Sequence, residues 1–182
     1  MMRKKIFIFF LFFVSFLVLS TKAYTENFKN YAIGYDSTYT IGALFYSGLG
    51  VGIYTEIGFW GLYSFEINVG YKKFNWMNDS GEEKLSKLLY ASAGFRFYFS
   101  YDAIGGPFFS TLLGIRSATV NEENKIEFIM PIGIGWKFII DNYSGFFAEP
   151  LFRVVLYPFY DRRFGISANF ELSIGADIGF AF

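Results

Sequence analysis

The sequence predicts an all-β protein, an eight-stranded antiparallel up-and-down transmembrane β-barrel. Three observations favour this fold. Apolar and polar residues alternate through eight segments of the 182-residue chain, which is typical of β-strands with two unlike faces. Charged residues in these segments fall on the less apolar face, with Lys73 at a strand end as the exception. A secretory signal precedes the segments and directs the chain beyond the cytoplasmic membrane.

The N-terminal segment has the pattern of a cleaved signal peptide. Three basic residues precede a fourteen-residue apolar core from Ile6 to Leu19, and small residues Thr21 and Ala23 occupy the two cleavage-specifying positions. The core is shorter than the ~20 residues that a transmembrane helix needs. We therefore predict cleavage of residues 1–23, which leaves residues 24–182 as one barrel domain. Loss of the basic residues leaves an acidic mature chain, which offers no basic patch for nucleic acid.

The first four predicted strands span residues 31–40, 49–59, 63–74 and 88–99. Each has a bulky apolar face opposite small or polar residues. In order, these faces carry Tyr31, Ile33, Tyr35 and Tyr39; Val51, Ile53, Ile57 and Phe59; Phe65, Ile67, Val69 and Tyr71; and Leu89, Ala91, Ala93, Phe95, Phe97 and Phe99. The apolar stretch 41–48 is predicted to connect the first two strands.

The last four predicted strands span residues 107–118, 126–140, 145–157 and 168–182. Their apolar faces carry Phe109, Leu113 and Ile115; Phe128, Met130, Ile132, Ile134, Trp136 and Phe138; Phe146, Phe152, Val154 and Leu156; and Phe170, Leu172, Ile174 and Ile178. Pro131 and Pro150 lie inside strands six and seven, where each removes a ladder donor. We expect a bulge or an altered register at these two positions.

Twelve charged residues on the inner faces are predicted to form a lumen charge network. They are Asp36, Glu56, Glu66, Lys72, Arg96, Arg116, Glu127, Lys137, Glu149, Arg153, Glu171 and Asp177. The opposite orientation would place five Arg or Lys side chains in lipid at ~2–4 kcal/mol each. Pairing is expected because an eight-stranded barrel has room only for its own side chains. Glu171 and Asp177 are expected to pair with inner-face Arg or Lys residues such as Arg96, Arg116, Lys137 or Arg153.

Connection lengths predict the orientation of the barrel. Segments 60–62, 100–106 and 141–144 have three to seven residues and are predicted to be short turns, whereas 75–87, 119–125 and 158–167 have seven to thirteen residues, are charged and are predicted to be the longer loops. Short turns on one side and longer loops on the other predict periplasmic termini and outward loops. Trp76, Tyr160, Arg162 and Arg163 are the candidate contacts for a surface partner, since aromatic residues and Arg are enriched at interfaces.

The chain resembles the small eight-stranded outer-membrane proteins, of the OmpA-transmembrane-domain, OmpX and OmpW kind, over the whole mature region. Its C-terminal residues Ile174, Ala176, Ile178, Phe180 and Phe182 resemble the assembly signal of such barrels. The resemblance implies a bacterial outer-membrane location, contacts with outer-membrane lipids and the outer-membrane assembly machinery, and a monomer.

Composition argues against an enzyme. The sequence contains no His and no Cys, so a His-dependent dyad or triad and a thiolate metal site are excluded. We predict a non-enzymatic barrel without catalytic residues, cofactor or metal, in a structural or surface-interaction role. Apolar inner residues, including Leu112, Ile129 and Leu151, leave open a narrow channel or binding barrel for small apolar solutes. A soluble, secreted lipocalin-like barrel is the third alternative.

Overall fold

The computed structural model describes residues 30–44, 47–59, 61–77, 81, 83–99, 104–120, 123–140, 144–159 and 170–182, so the predicted signal peptide lies outside the described residues. The elements are β1 (Tyr31–Tyr35), α1 (Ser37–Leu44), β2 (Leu49–Phe59), β3 (Tyr63–Met77), β4 (Glu83–Tyr98), β5 (Gly106–Val120), β6 (Glu123–Ile139), β7 (Phe146–Leu156) and β8 (Phe170–Ala181). Each strand pairs antiparallel with the next, and β1 also pairs with β8. The sheet therefore closes, and the predicted fold class is confirmed.

Successive side chains point alternately into and out of the barrel. In β8, Leu172 and Ile174 are exposed, whereas Ser173, Gly175 and Asp177 are buried. This alternation follows from strand geometry, because successive Cβ atoms lie on opposite faces. The inner faces are those with charges and small residues, as the parity of the sequence predicts. We call the end where β1 begins and β8 finishes the termini end, and the opposite end the far end.

The first predicted strand is wrong from residue 36 onward, because the chain turns into α1. The carboxylate of Asp36 caps this helix by accepting the amide N–H of Thr38 at 3.0 Å. Tyr39, predicted on the outer face, is buried in the lumen. Among the described residues, no helix has the length and apolar content needed to cross a bilayer.

Two of the predicted longer loops are mostly strand. β3 continues to Met77 and β4 begins at Glu83, while β5 continues to Val120 and β6 begins at Glu123. The polar composition of 75–87 and 119–125 therefore marks long hairpins and not long loops. The third, 158–167, lies largely outside the described residues.

Pro131 and Pro150 interrupt the ladder without shifting its register. The residue pairs before and after Pro131 in β5–β6 keep one offset, and so do the pairs around Pro150 in β6–β7. The expectation of a bulge or altered register was wrong. Each proline removes local hydrogen bonds, and the neighbouring pairs hold the alignment.

Candidate functional site: the charged lumen

The structure brings the predicted charged residues together inside the barrel. Eleven of the twelve are buried, and the side chain of Glu171 is 27% exposed. Strands position them because every second residue points inward, and closure of the sheet faces opposite walls towards each other. Their arrangement separates into a cluster towards the termini end and two smaller groups towards the far end.

Seven of the residues form one continuous chain of ion pairs, which we call the central cluster. Its order across the lumen is Glu56, Lys137, Glu149, Arg96, Glu66, Arg153 and Asp36. Side chains from five strands and from the residue before α1 therefore meet across the interior. Each member is at most 3% exposed. Buried charges are costly unless they are paired, so this continuity is what makes the cluster tolerable inside the barrel.

Arg96 is the centre of this cluster. Its Nε lies 2.5 Å from Glu66 Oε2 and its Nη1 lies 2.8 Å from Glu149 Oε2. The guanidinium carbon lies 4.3 Å from the ring centre of Phe108 and 4.9 Å from that of Tyr54. A planar guanidinium with several donors can pair with two carboxylates while lying against aromatic rings, which a lysine ammonium cannot do in the same way.

Neutral polar side chains donate further hydrogen bonds to three of the central carboxylates. Tyr98 donates its hydroxyl to Glu56 at 2.6 Å, and Tyr54 donates to Glu149 at 3.1 Å. Asn68 donates its amide to Asp36. These residues were absent from the predicted network. Both tyrosines lie on the inward-facing side of their strands in the sequence pattern, and that position was the signal that would have included them.

Two ionic groups lie towards the far end. Lys72 pairs with Glu171, and Arg116 pairs with Glu127, which Lys125 also approaches at 3.3 Å. They border a buried apolar group that we call the far cluster: Tyr39, Phe74, Leu88, Tyr90, Ala118, Ile129, Val155 and Tyr157.

The expected partners of the two acids in β8 were wrong. Glu171 pairs with Lys72 across the lumen. Asp177 accepts the amide N–H of Ser37 at 2.8 Å, and no cation of the described residues lies within ion-pair distance of it. Strand parity places a charge on the inner wall, but its partner depends on which positions on opposite walls reach the same height.

The remaining predicted residues lie outside this interior. Ile174, Ile178, Phe180 and Phe182 are exposed on the outer surface, as is Ala176, and their role in assembly stays a prediction. Trp76 lies near the far end of β3. The other candidate surface contacts, Tyr160, Arg162 and Arg163, lie outside the described residues.

The chemistry of the lumen is that of a closed electrostatic plug. Its central carboxylates are engaged by Arg and Lys, and no group of three metal-ligating side chains is suited to a metal ion in the described parts of the chain. The central cluster spans the interior from β2 to β7, so its contacts would have to break before a solute crossed.

Comparisons with known proteins support the architecture. No protein-family model and no curated protein matches the sequence. The crystal structure of Neisserial surface protein A (NspA) is similar at a TM-score of 0.56 and 12% identity, over 84% of this chain and 94% of that chain. The chain has the fold of the small eight-stranded outer-membrane barrels.

A second barrel of this fold shows the same likeness. The structure of the Yersinia pestis outer membrane protein Ail in a phospholipid nanodisc matches at a TM-score of 0.52 and 13% identity, over 86% of this chain and all of that one. At these identities the likeness establishes the fold, and the function has to be argued from the residues of this barrel.

Proposed function

We propose that the protein is a non-enzymatic integral barrel of a bacterial outer membrane, with a structural or surface-interaction role. The observation that carries this proposal is the inverted distribution of polarity, with charges buried inside and large apolar side chains exposed outside. In water this outer surface would be an extensive apolar patch, which soluble proteins avoid. In a bilayer it matches the hydrocarbon, and strand closure satisfies the backbone.

The apolar band of the outer surface ends at charged residues, and its height is close to that of a bilayer core. Among the described strand residues, the outward-facing charges are Lys73, Glu83 and Lys87, all near the far end. Ten residues separate Tyr63 at the termini end from Lys73. At ~3.3 Å per residue and a tilt near 45°, they cover about 23 Å, close to the ~25 Å apolar band of such barrels.

Aromatic side chains mark the termini end of this band. Outside the barrel, the rings of Tyr63 and Phe97 are 5.3 Å apart, and those of Phe146 and Phe180 are 5.6 Å apart. Aromatic belts of this kind lie at membrane–water interfaces. They support a position in which the termini end reaches one membrane–water interface. We propose that this interface is the periplasmic one, with Phe182 available to the assembly machinery.

The filled lumen supports a structural role over a passage. A solute crossing the barrel would have to part the central cluster, and removing one partner of a buried ion pair typically costs ~3–5 kcal/mol. No catalytic pairing is proposed, because the chain has neither His nor Cys. The protein is proposed to act as a monomer in contact with outer-membrane lipids.

The far end supports the surface-interaction part of the proposal. β3 to β6 continue about four residues beyond the level of Lys73, which projects their hairpins by about 10 Å. Exposed apolar residues lie on this projection, including Met77 at 75% and Ile126 at 70% exposure. A projecting, hydrogen-bonded sheet with exposed apolar side chains is suited to contact a partner outside the membrane.

Heat-modifiable gel migration tests the proposal. The mature protein should be recovered in the outer-membrane fraction, and its detergent-stable band should migrate differently after boiling. Recovery as a soluble protein without detergent would contradict the membrane placement. A folded barrel that speeds the release of an entrapped small solute above the rate from protein-free vesicles would contradict the structural role and favour a narrow passage.

A further inference from the structure

The barrel wall lacks a strand beside the far-end part of β8. β1 ends at Tyr35, which pairs with Ile178 of β8 and Ile53 of β2. Within the described chain, residues 170–177 of β8 and 49–52 of β2 have no strand partner on that side. We call this gap the notch. At ~3.3 Å per residue it extends about 26 Å along β8.

Helix α1 fills the notch, and polar side chains attach it to both rims. On the β8 rim, the Ser37 hydroxyl accepts the N–H of Ala176 at 2.8 Å. On the β2 rim, the Thr40 hydroxyl donates to the carbonyl of Gly50 at 2.6 Å. A strand in this position would form a ladder of backbone bonds with both neighbours. The helix is therefore held by a few individual hydrogen bonds where the rest of the wall is held by a ladder.

Tyr39 of α1 fills a pocket built by the other strands. A Cβ added to Gly52 or Gly70 would lie 2.2 or 2.3 Å from the Tyr39 ring, so these glycines provide the space that the ring occupies. The Tyr39 hydroxyl donates to Asn68 at 3.0 Å, and its ring centre lies 5.2 Å from that of Tyr90. The pocket consists of residues from β2, β3 and β4. None of these pocket residues belongs to α1.

The notch faces hydrocarbon. Its rims expose Leu49, Val51, Leu172 and Ile174, each at least half exposed. Ile174 lies eight residues from the terminal Phe182, or about 19 Å above it at a tilt near 45°. This height is in the far-end half of the ~25 Å apolar band, where lipid hydrocarbon chains are the surrounding medium.

We propose that α1 is a movable segment of the barrel wall, which we call the lateral door. Its outward displacement admits a lipid hydrocarbon chain into the pocket that Tyr39 fills. An isolated eight-residue helix is marginal in stability, so the position of α1 depends on its contacts with the rims and the pocket. A minor open state of ~0.1–10% is the usual scale for such an alternative conformation. This inference rests on the proposed membrane location but not on the proposed surface role.

A reversible disulfide tests the door. The chain has no native Cys, so Ser37→Cys/Gly175→Cys introduces one defined pair. Ser37 Oγ lies 2.9 Å from a Cβ built on Gly175, a separation compatible with a disulfide between the two positions. The same Cβ lies 2.6 Å from Thr38 Cγ2, so the Thr38 side chain has to shift, and the Gly175→Cys single variant controls for that effect on α1. The variant is refolded in phosphatidylcholine vesicles that contain a diazirine-bearing palmitate. After illumination, mass spectrometry locates the labelled residues in the oxidised and the reduced protein.

Reduced protein should carry label at Leu88 and Tyr90 of the lumen. Oxidation should lower that labelling by about tenfold or more, because the disulfide holds α1 against β8 and removes the minor population in which α1 is displaced. Labelling of the outward residue Leu113 serves as the internal control and should not change. The two single-Cys variants should behave as reduced protein under both conditions. Equal lumen labelling in the oxidised and reduced states, or none in either, would overturn the proposal.

Tyr39→Ala provides an independent test, because it empties the pocket without a disulfide. Lumen labelling should rise relative to the unsubstituted protein. Tyr54→Ala is the matched control: it also removes a buried, hydrogen-bonded tyrosine, but towards the termini end, and it should leave labelling of Tyr90 unchanged. An unchanged signal in Tyr39→Ala would refute the door. Each variant must first show a heat-modifiable band, and absence of that band from the unsubstituted protein would instead contradict the membrane location.

Discussion

Replacement of Arg96 by Met should be among the most destabilising single changes in this barrel. Met has a similar length and no charge, so the change removes the ion pairs with limited loss of volume. Glu66 and Glu149 lose Arg96 as a partner at 2.5 and 2.8 Å, and both stay buried. Glu149 keeps Lys137 at 3.3 Å, and Glu66 keeps only a longer contact of 3.6 Å to Arg153.

The expected loss of unfolding free energy is ~3–5 kcal/mol, the scale for removing one partner of a buried ion pair. A second change should recover part of it. In Arg96→Met/Glu66→Gln a neutral amide replaces the carboxylate that Arg96→Met leaves without its partner. The losses of unfolding free energy from the two substitutions should therefore not add. A coupling of ~0.5–3 kcal/mol is the scale seen for residues in direct contact.

Reversible urea unfolding in phospholipid vesicles measures both quantities. Lys87→Met is the control, because Lys87 is exposed on the outer surface near the far end, and the change should stay within ~0.5 kcal/mol. A loss below about 1 kcal/mol for Arg96→Met would refute a central role for these ion pairs, since even an ordinary hydrogen bond contributes that much. Simple additivity in the double variant would show that Glu66 and Arg96 do not interact.

Three further outcomes are expected. Leu113→Arg should destabilise the folded barrel in vesicles by ~2–4 kcal/mol because it places a charge in mid-membrane. Ile126→Arg, at a nearly equal exposure of 70% against 69%, should be tolerated on the projecting end, and equal effects in urea unfolding would contradict the membrane boundary. Gly70→Val should cost ~1–3 kcal/mol in the same assay by overpacking against Tyr39, whereas outward-facing Ala91→Val should be neutral. Phe182→Ala should lower the amount of barrel in the outer membrane of cells while the purified protein still refolds in vesicles; equal amounts in the membrane would contradict the assembly role.

The alternation of inward-facing and outward-facing residues along each strand was predictable because it depends on local backbone geometry alone. Alternation places Glu56, Arg96 and Lys137 on one face of their strands whatever their neighbours are. Closure of the sheet then turns that face inward. Pairing was not predictable in the same way, since the contact between Lys72 and Glu171 joins the non-adjacent strands β3 and β8 and depends on barrel register.

The helix escaped prediction because its first residues also alternate. Tyr31 to Tyr35 continue smoothly into Asp36–Tyr39 when only period two is considered. The local signals for a helix were the capping position of Asp36 before Ser37 and Thr38, and the long apolar stretch after residue 40. The decisive cause is tertiary: glycines at 52 and 70 provide space for Tyr39, the β2 rim accepts a hydrogen bond from α1, and the β8 rim donates one to it.

Asp36 belongs to two structures at once. Its Oδ1 caps the first turn of α1, and its Oδ2 lies 2.6 Å from Arg153, the last cation of the central cluster. The central cluster and α1 therefore share one carboxylate. Thermodynamic linkage makes any influence between them mutual: a change that weakens the hold of Arg153 on Asp36 alters the stability of α1, and movement of α1 alters the cluster by the same free energy. The central cluster and α1 thus form one coupled system.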